Sequence, residues 1–153
     1  MEDKPGVLNR VASLFRRRGF NIDSIAVGHS EAAGMSRMTI VVDGPTAMVE
    51  QVRKQLDKVI DVVKVSDITG QALIARELAL IKVKTTPASR SEVMQIVDIF
   101  RAKIVDVSSD SVAVEVTGDE DKVNSLFNLL RPFGIKEITR TGRIAMARGV
   151  SGG

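Results

Sequence analysis

The sequence predicts an α+β protein in which one plan of helices and strands is used twice. Apolar residues recur at helical spacing in several segments, and these are separated by alternating or continuous runs of Val, Ile and Leu that are typical of strands. In the C-terminal half the order is β-α-β-β-α-β, which is the ferredoxin-like arrangement. We therefore expect two ferredoxin-like βαββαβ domains in tandem.

The N-terminal half begins with an amphipathic helix. The apolar residues on one of its faces are Val7, Leu8, Val11, Leu14 and Phe15. Gly19 follows at the position that favours a left-handed backbone and ends this helix. Strands are predicted over residues 21–29 and 36–42, a helix with an apolar face over 49–59, and a further strand over 62–67.

This N-terminal half lacks the opening strand that the C-terminal half has. A ferredoxin-like sheet places that strand in its centre, so its neighbours depend on it for pairing. We expect that the numbered chain starts late, or that Met1 and Glu2 are the remnant of this strand. The expected division is a first domain over residues 1–70, a polar linker over 71–76, and a second domain over 77–153.

The second half is predicted in more detail because its termination signals are clear. The predicted strands cover residues 78–84, 103–107, 112–117, 135–139 and 144–147. Ser89 and Glu92 have the spacing of a capping box, which predicts the start of a helix. Asp119 precedes an acidic first turn and predicts a second helix, which ends before Pro132 and Gly134.

The composition argues against catalysis by this chain alone. Among 153 residues there is one histidine and no cysteine, and no His, Cys, Asp or Glu cluster has metal-ligand spacing. No apolar run approaches the ~18 residues of a membrane span, so we expect a cytoplasmic protein without a membrane partner. We expect no catalytic residue and no metal site.

Nucleic acid is also not the expected partner, although ferredoxin-like sheets can bind RNA. That mode of binding needs aromatic side chains on the strands, and the phenylalanines of this chain lie in or next to helices. The net charge is only +3 and is evenly spread. Arg16, Arg17 and Arg18 form a basic run in the last turn of a helix, which indicates a solvated face or a contact with a partner protein.

The loop from Asp3 to Gly6 is the best candidate for a ligand site. Free N–H groups at a helix start suit an α-carboxylate, and Gly6 has no Cβ to block close approach. Asp3 could accept an ammonium group, and Asn21 could bond to either end of a free amino acid. An ordinary Pro-Gly turn leading into a helix explains the same spacing, so the residues alone leave both interpretations open.

A resemblance favours the first interpretation. Residues 3–8, 14–15 and 17–22 resemble the opening of an ACT domain, a small-ligand sensor. The segments 36–40, 54–56, 76–83, 99–107 and 132–138 resemble the small, regulatory subunit of acetolactate (acetohydroxyacid) synthase. The likeness extends over nearly the whole chain.

This resemblance implies a non-catalytic subunit that activates a thiamine-diphosphate-dependent catalytic large subunit and confers feedback inhibition, typically by valine. It implies that thiamine diphosphate, Mg²⁺ and FAD belong to that partner and that this chain binds no cofactor. It also implies a homodimer of paired ACT domains. The implied effector-binding residues are Asp3, Gly6, Val7, Leu8, Asn21 and Ile22. A stand-alone amino-acid sensor of the ACT type, acting on another target, is the alternative.

Overall fold

The computed structural model describes residues 6–17, 19, 21–43, 46–59, 62 and 64–149, and describes only the backbone of 46–48. The helices are α1 (Val7–Arg17), α2 (Thr46–Asp57), α3 (Arg90–Ile99) and α4 (Glu120–Leu130). The strands are β1 (Asn21–His29), β2 (Ser36–Asp43), β3 (Leu73–Lys84), β4 (Lys103–Val107), β5 (Ser111–Gly118), β6 (Ile135–Arg140) and β7 (Ile144–Ala147). The predicted α+β class is confirmed.

The described chain divides into two compact units. One runs to Ile74 and also includes the described residues from Ala145 onward, and the other runs from Ala75 to Ile144. The expected second domain, 77–153, thus differs from this division at its C-terminal end, where the described residues from Ala145 group with the first unit.

The first unit is built on the hairpin of β1 and β2. The two strands pair antiparallel, with a bulge between Ile22 and Ser24. The core under this hairpin consists of buried Val7, Val11, Phe15, Val52 and Leu56 from the two helices. Each such side chain stabilises the unit by roughly 1.5–3 kcal/mol relative to exposure, so the predicted apolar face of α1 is what holds it to the sheet. Gly19 has a φ of +76°, as predicted for the residue that ends α1.

The strand predicted over residues 62–67 is absent from the described part of this segment, and that prediction is wrong there. Val62 and Val65 nevertheless pack against the core of the first unit. The last strand of a ferredoxin-like unit pairs with the first strand, which would precede α1. No described residue precedes Gly6, so the described residues offer 62–67 no strand to pair with. The expected remnant at Met1 and Glu2 lies outside the described residues.

The second unit has the full set of strands. Its sheet order is β4-β5-β3-β6, and all three of these neighbouring pairs are antiparallel. Successive side chains of β3 point to opposite faces of the sheet, and the inward-facing Ala79, Ile81 and Val83 are buried. The remaining buried residues of this core are Val93, Val97, Val112, Val114, Val116, Val123, Leu126 and Leu130. Helices α3 and α4 therefore cover one face of the sheet, as a βαββαβ unit requires.

Strand β3 begins at Leu73, five residues before the predicted start at Leu78, so it takes in most of the predicted linker 71–76. The reason is a second pairing partner, because β7 also pairs with β3. Beyond the end of β7, the Arg148 amide donates to the Ala72 carbonyl at 2.9 Å. Residues 73–76, predicted to be linker, thus become part of a strand because backbone groups there find partners far along the chain.

The cap of α3 differs from the prediction. Ser89 makes no side-chain bond to the helix, so the predicted box of Ser89 with Glu92 is not formed. Instead, the Ser89 amide donates to Thr86 Oγ1 at 3.1 Å, and the Thr86 amide donates to Ser89 Oγ at 2.9 Å. This is the reciprocal pattern of a capping box moved three residues upstream, with Pro87 at the first position after the cap. At α4 the predicted cap is confirmed, since Asp119 accepts from the Lys122 amide at 2.8 Å.

Candidate functional site

Gly6 immediately precedes α1 and has a φ of +86°, a backbone conformation that favours glycine. Its carbonyl accepts a hydrogen bond from the Arg10 amide at 3.1 Å, so Gly6 starts the hydrogen-bond pattern of the helix. Apart from Gly6 and its two chain neighbours, no described residue has an atom within 4 Å of the position that a Cβ would occupy. The approach to the start of α1 is therefore open on this side.

The next two residues differ sharply in burial. The Val7 side chain is 0% exposed and belongs to the core of the first unit, whereas Leu8 is 43% exposed. A ligand at the start of α1 could therefore meet Leu8, whereas Val7 is buried as a whole residue. The first amides of a helix have no partner within the helix, so the backbone there is suited to an anionic group.

Asn21 and Ile22 lie at the beginning of β1. Asn21 is exposed and pairs with Asp43 in the hairpin, while Ile22 pairs with Val42 and packs against the cluster that contains Val7. The structure thus brings Ile22 and Val7 together through the core. Asp3 lies outside the described residues, and the six-residue effector site as a whole stays a prediction.

A second feature of α1 is its solvent-facing side. An open groove is lined by Asn9, Arg10, Ser13, Arg16 and Arg17. These positions lie opposite the buried Val7, Val11 and Phe15 on the helix. Arg16 Nη2 donates to Ser13 Oγ at 3.4 Å. The basic run noted in the sequence is therefore the end of a longer polar face, which shows only when the whole helix is traced.

In the second unit, the charged contacts hold loops and strand ends together. Lys136 Nζ lies 2.9 Å from Asp110 Oδ2, and Ser108 Oγ lies 3.0 Å from the other carboxylate oxygen. The hydrogen bond from Lys136 is the largest cause that holds the pKa of Asp110 below its usual value, and the hydrogen bond from Ser108 is the next largest. Buried Glu77 accepts from the Arg140 guanidinium, which also donates to Asn124 at 2.9 Å. These groups are engaged in structural contacts.

The described part of the chain has neither a metal-ligand cluster nor a membrane-spanning helix. No three His, Cys, Asp or Glu side chains there are arranged to hold a metal ion. Among the same residues, no helix has the length and apolar character needed to cross a membrane.

Comparison with known proteins identifies the family. A family model described as an AHAS small subunit-like ACT domain matches residues 1–64, and a model described as the small subunit of acetolactate synthase matches residues 76–149. A probable acetolactate synthase small subunit of Archaeoglobus fulgidus is 58% identical over 149 residues, which are 97% of this chain and 93% of that protein. This chain belongs to the acetolactate synthase small-subunit family.

Other small subunits are similar to this chain over nearly its whole length. The acetolactate synthase small subunit of Bacillus subtilis is 55% identical, with 96% of this chain and 86% of that protein covered. The crystal structure of the small subunit from Thermotoga maritima has a TM-score of 0.89 and 46% identity, covering 97% of this chain and 93% of that one. The resemblance stated from the sequence is confirmed, as is the fold class of two ferredoxin-like units with an N-terminal ACT domain.

Proposed function

We propose that this small subunit is a non-catalytic regulatory subunit, which activates the catalytic large subunit of acetolactate synthase and makes it sensitive to feedback inhibition by valine or a related branched-chain amino acid. The observation that carries the proposal is family membership over both halves of the chain. A small subunit implies a large one. Thiamine diphosphate, Mg²⁺ and FAD are then bound by that partner in the cytoplasm, and the carbon–carbon bond chemistry takes place there.

The composition supports this division of labour. One histidine and no cysteine leave the chain short of the commonest general base and without a thiol nucleophile. The charged groups Glu77 and Asp110 are already held by Arg140 and Lys136. Regulation requires only a binding site and a second state of the protein, and neither needs a reactive side chain.

The start of α1 supplies complementary chemistry for a free amino acid. Backbone amides at the N-terminus of α1 would bind the α-carboxylate, and the open side of Gly6 would admit it. Asp3 would take the ammonium group and Asn21 would bond to either polar end. The half-exposed Leu8 offers an apolar contact for a branched aliphatic side chain. Because Val7 and Ile22 pack in the core, little apolar surface is left for a ligand, and a small aliphatic side chain suits such a site.

We also propose that the ACT domains pair into a homodimer. In the described residues, β1 and β2 form a sheet of only two strands. A two-stranded sheet leaves backbone N–H and C=O groups at its edges, and pairing with a second copy would satisfy them. An effector bound beside such an interface would favour one arrangement of the dimer, and this linkage would pass the signal to the large subunit.

Reconstitution tests the proposal. Acetolactate formation by the purified large subunit is measured alone and with this chain, and then with valine, leucine or isoleucine added. We expect the small subunit to raise the activity and at least one of these amino acids to lower it again.

Two results would contradict the proposal in different ways. If this chain neither binds nor stimulates the large subunit, it is not its regulatory subunit. If it binds valine by calorimetry but does not bind the large subunit, the stand-alone sensor is the correct function.

A further inference from the structure

The effector hypothesis uses the start of α1 and leaves the rest of its exposed surface without a role. Along that surface runs the groove lined by Asn9, Arg10, Ser13, Arg16 and Arg17. From Arg10 to Arg17 the helix rises by about 10 Å, since each residue adds about 1.5 Å. We refer to this surface as the α1 basic face.

The α1 basic face is not neutralised by its own helix. The sequence of α1, VLNRVASLFRR, contains no Asp or Glu. Among the described residues, no carboxylate forms an ion pair with Arg16 or Arg17. The helix α2 of the same unit is different, because Arg53 is 2.6 Å from Glu50 and 3.3 Å from Asp57. The excess of positive charge is therefore a property of α1.

The helix dipole explains only part of this arrangement. Arg16 and Arg17 lie in the last turn, where cations interact favourably with the carbonyl end of the helix. That interaction leaves most N–H donors of these two exposed guanidinium groups available, although Arg16 Nη2 also donates to Ser13 Oγ at 3.4 Å. A guanidinium group binds a carboxylate with two parallel hydrogen bonds, so the natural complement of this face is a surface rich in Asp and Glu.

The shape of the face favours a protein over a nucleic acid. Binding of single-stranded nucleic acid relies on aromatic side chains that stack on bases. The only aromatic residue of α1 is Phe15, which is buried in the core. An open, shallow strip one helix long is instead suited to a segment of another protein's surface.

We infer that the α1 basic face docks on an acidic segment at the surface of the large subunit. This inference rests on the proposed function, because it names the surface through which the regulatory subunit is held. It also places the docking surface and the effector site on one helix. An effector at the N-terminus of α1 can thereby influence the partner contact without passing through the second unit.

Charge reversal tests the inference. The dissociation constant of the small subunit from the large subunit is measured by sedimentation at about 0.05 M and about 0.3 M NaCl, which shortens the screening length by a factor of about 2.4. For Arg16→Glu with Arg17→Glu we expect binding about tenfold or more weaker at low salt, since like charges would now face each other. The double variant with Arg16→Gln and Arg17→Gln should lose an intermediate amount of affinity. In both double variants the dissociation constant should depend less on salt than in the wild-type chain.

A matched control is Lys54→Glu, which reverses an exposed lysine in α2 of the same unit. It should change the dissociation constant by no more than about twofold, because it lies outside the α1 basic face. Far-ultraviolet circular dichroism checks that the helices of all variants are retained. The glutamine pair keeps the test valid if the glutamate pair fails to fold.

The possible failures are distinguishable. If the wild-type chain does not bind the large subunit at either salt concentration, the proposed function fails and the docking inference with it. If the wild-type chain binds and the folded reversal variant binds equally well with the same salt dependence, only the docking inference is wrong. If the variant with Arg16→Glu and Arg17→Glu loses affinity for single-stranded RNA but keeps its affinity for the large subunit, the docking inference is wrong. The α1 basic face would then be a polyanion site.

Discussion

Substitutions at Gly6 can separate backbone strain from charge at the start of α1. Gly6→Ala adds a Cβ, and Gly6→Asp adds a Cβ and a carboxylate. At a φ of +86°, any residue with a Cβ is strained, and the open space around Gly6 means that neither substitution meets a described atom. The two variants therefore share the strain and differ in the charge.

The effect on stability follows from the backbone. A left-handed conformation costs a residue with a Cβ about 1–2 kcal/mol. Asp tolerates it better than Ala, and a carboxylate at a helix N-terminus is stabilising, so Gly6→Asp should lose no more stability than Gly6→Ala. For a domain of about 60–100 residues, such as the unit that contains α1, 1 kcal/mol corresponds to roughly 4–8 °C in Tm.

The expected effect on regulation has the opposite order. In Gly6→Asp the new carboxylate would stand where the effector's carboxylate is expected. Two such charges about 4 Å apart repel each other by about 1 kcal/mol in water and about 4 kcal/mol near a protein surface. Valine inhibition should therefore weaken between about fivefold and several hundredfold, while activation of the large subunit is retained. Gly6→Ala should keep most of the inhibition.

The assay combines thermal unfolding of the small subunit with the valine concentration that half-inhibits the reconstituted enzyme. Stability should fall in the order Gly, Asp, Ala, and valine sensitivity in the order Gly, Ala, Asp. If Gly6→Asp keeps full inhibition, the effector binds elsewhere. If both variants lose inhibition in proportion to their loss of stability, strain accounts for the effect and the carboxylate site is refuted.

Two further predictions concern the second unit. Leu126→Ala should lower the free energy of unfolding by about 2–5 kcal/mol, because Leu126 is 0% exposed. Leu129 is 49% exposed on the same helix, so Leu129→Ala should lower it by less than about 1 kcal/mol. Urea unfolding measures both losses, and equal losses would contradict the core assignment. Asp110 should titrate below its usual pKa of 3.8, so its contribution to stability is complete above the unfolded pKa and is lost as the pH falls through the lower folded pKa. Lys136→Met should raise this pKa in a carboxyl NMR titration, and an unchanged pKa would show that Lys136 is not its main cause.

Much of the local structure could be predicted because its signals lie within a few residues. The apolar spacing of Val7, Val11 and Phe15 predicted the buried face of α1, and Gly19 predicted its end. Asp119 predicted the cap of α4 through a hydrogen bond that spans three residues. The effector site was predicted on the same local grounds together with the family resemblance, and the structure adds that Leu8 is exposed there while Val7 is buried.

The errors arose where an outcome depends on a distant partner or on a competing local bond. Residues 62–67 have strand-like composition, but a strand needs a neighbouring ladder. At α3, Thr86 bonds to Ser89 and replaces the predicted pairing of Ser89 with Glu92.

The sequence by itself determined the family, the class of fold, the positions of the helices, and the residues around the start of α1 that make an effector site plausible. Only the tertiary structure decided how far β3 extends and which side chains near Gly6 remain accessible. Periodicity and caps are properties of neighbouring residues, so they can be read along the chain. Pairing and burial depend on residues that folding brings together, such as Arg148 with Ala72, and no local pattern carries that information.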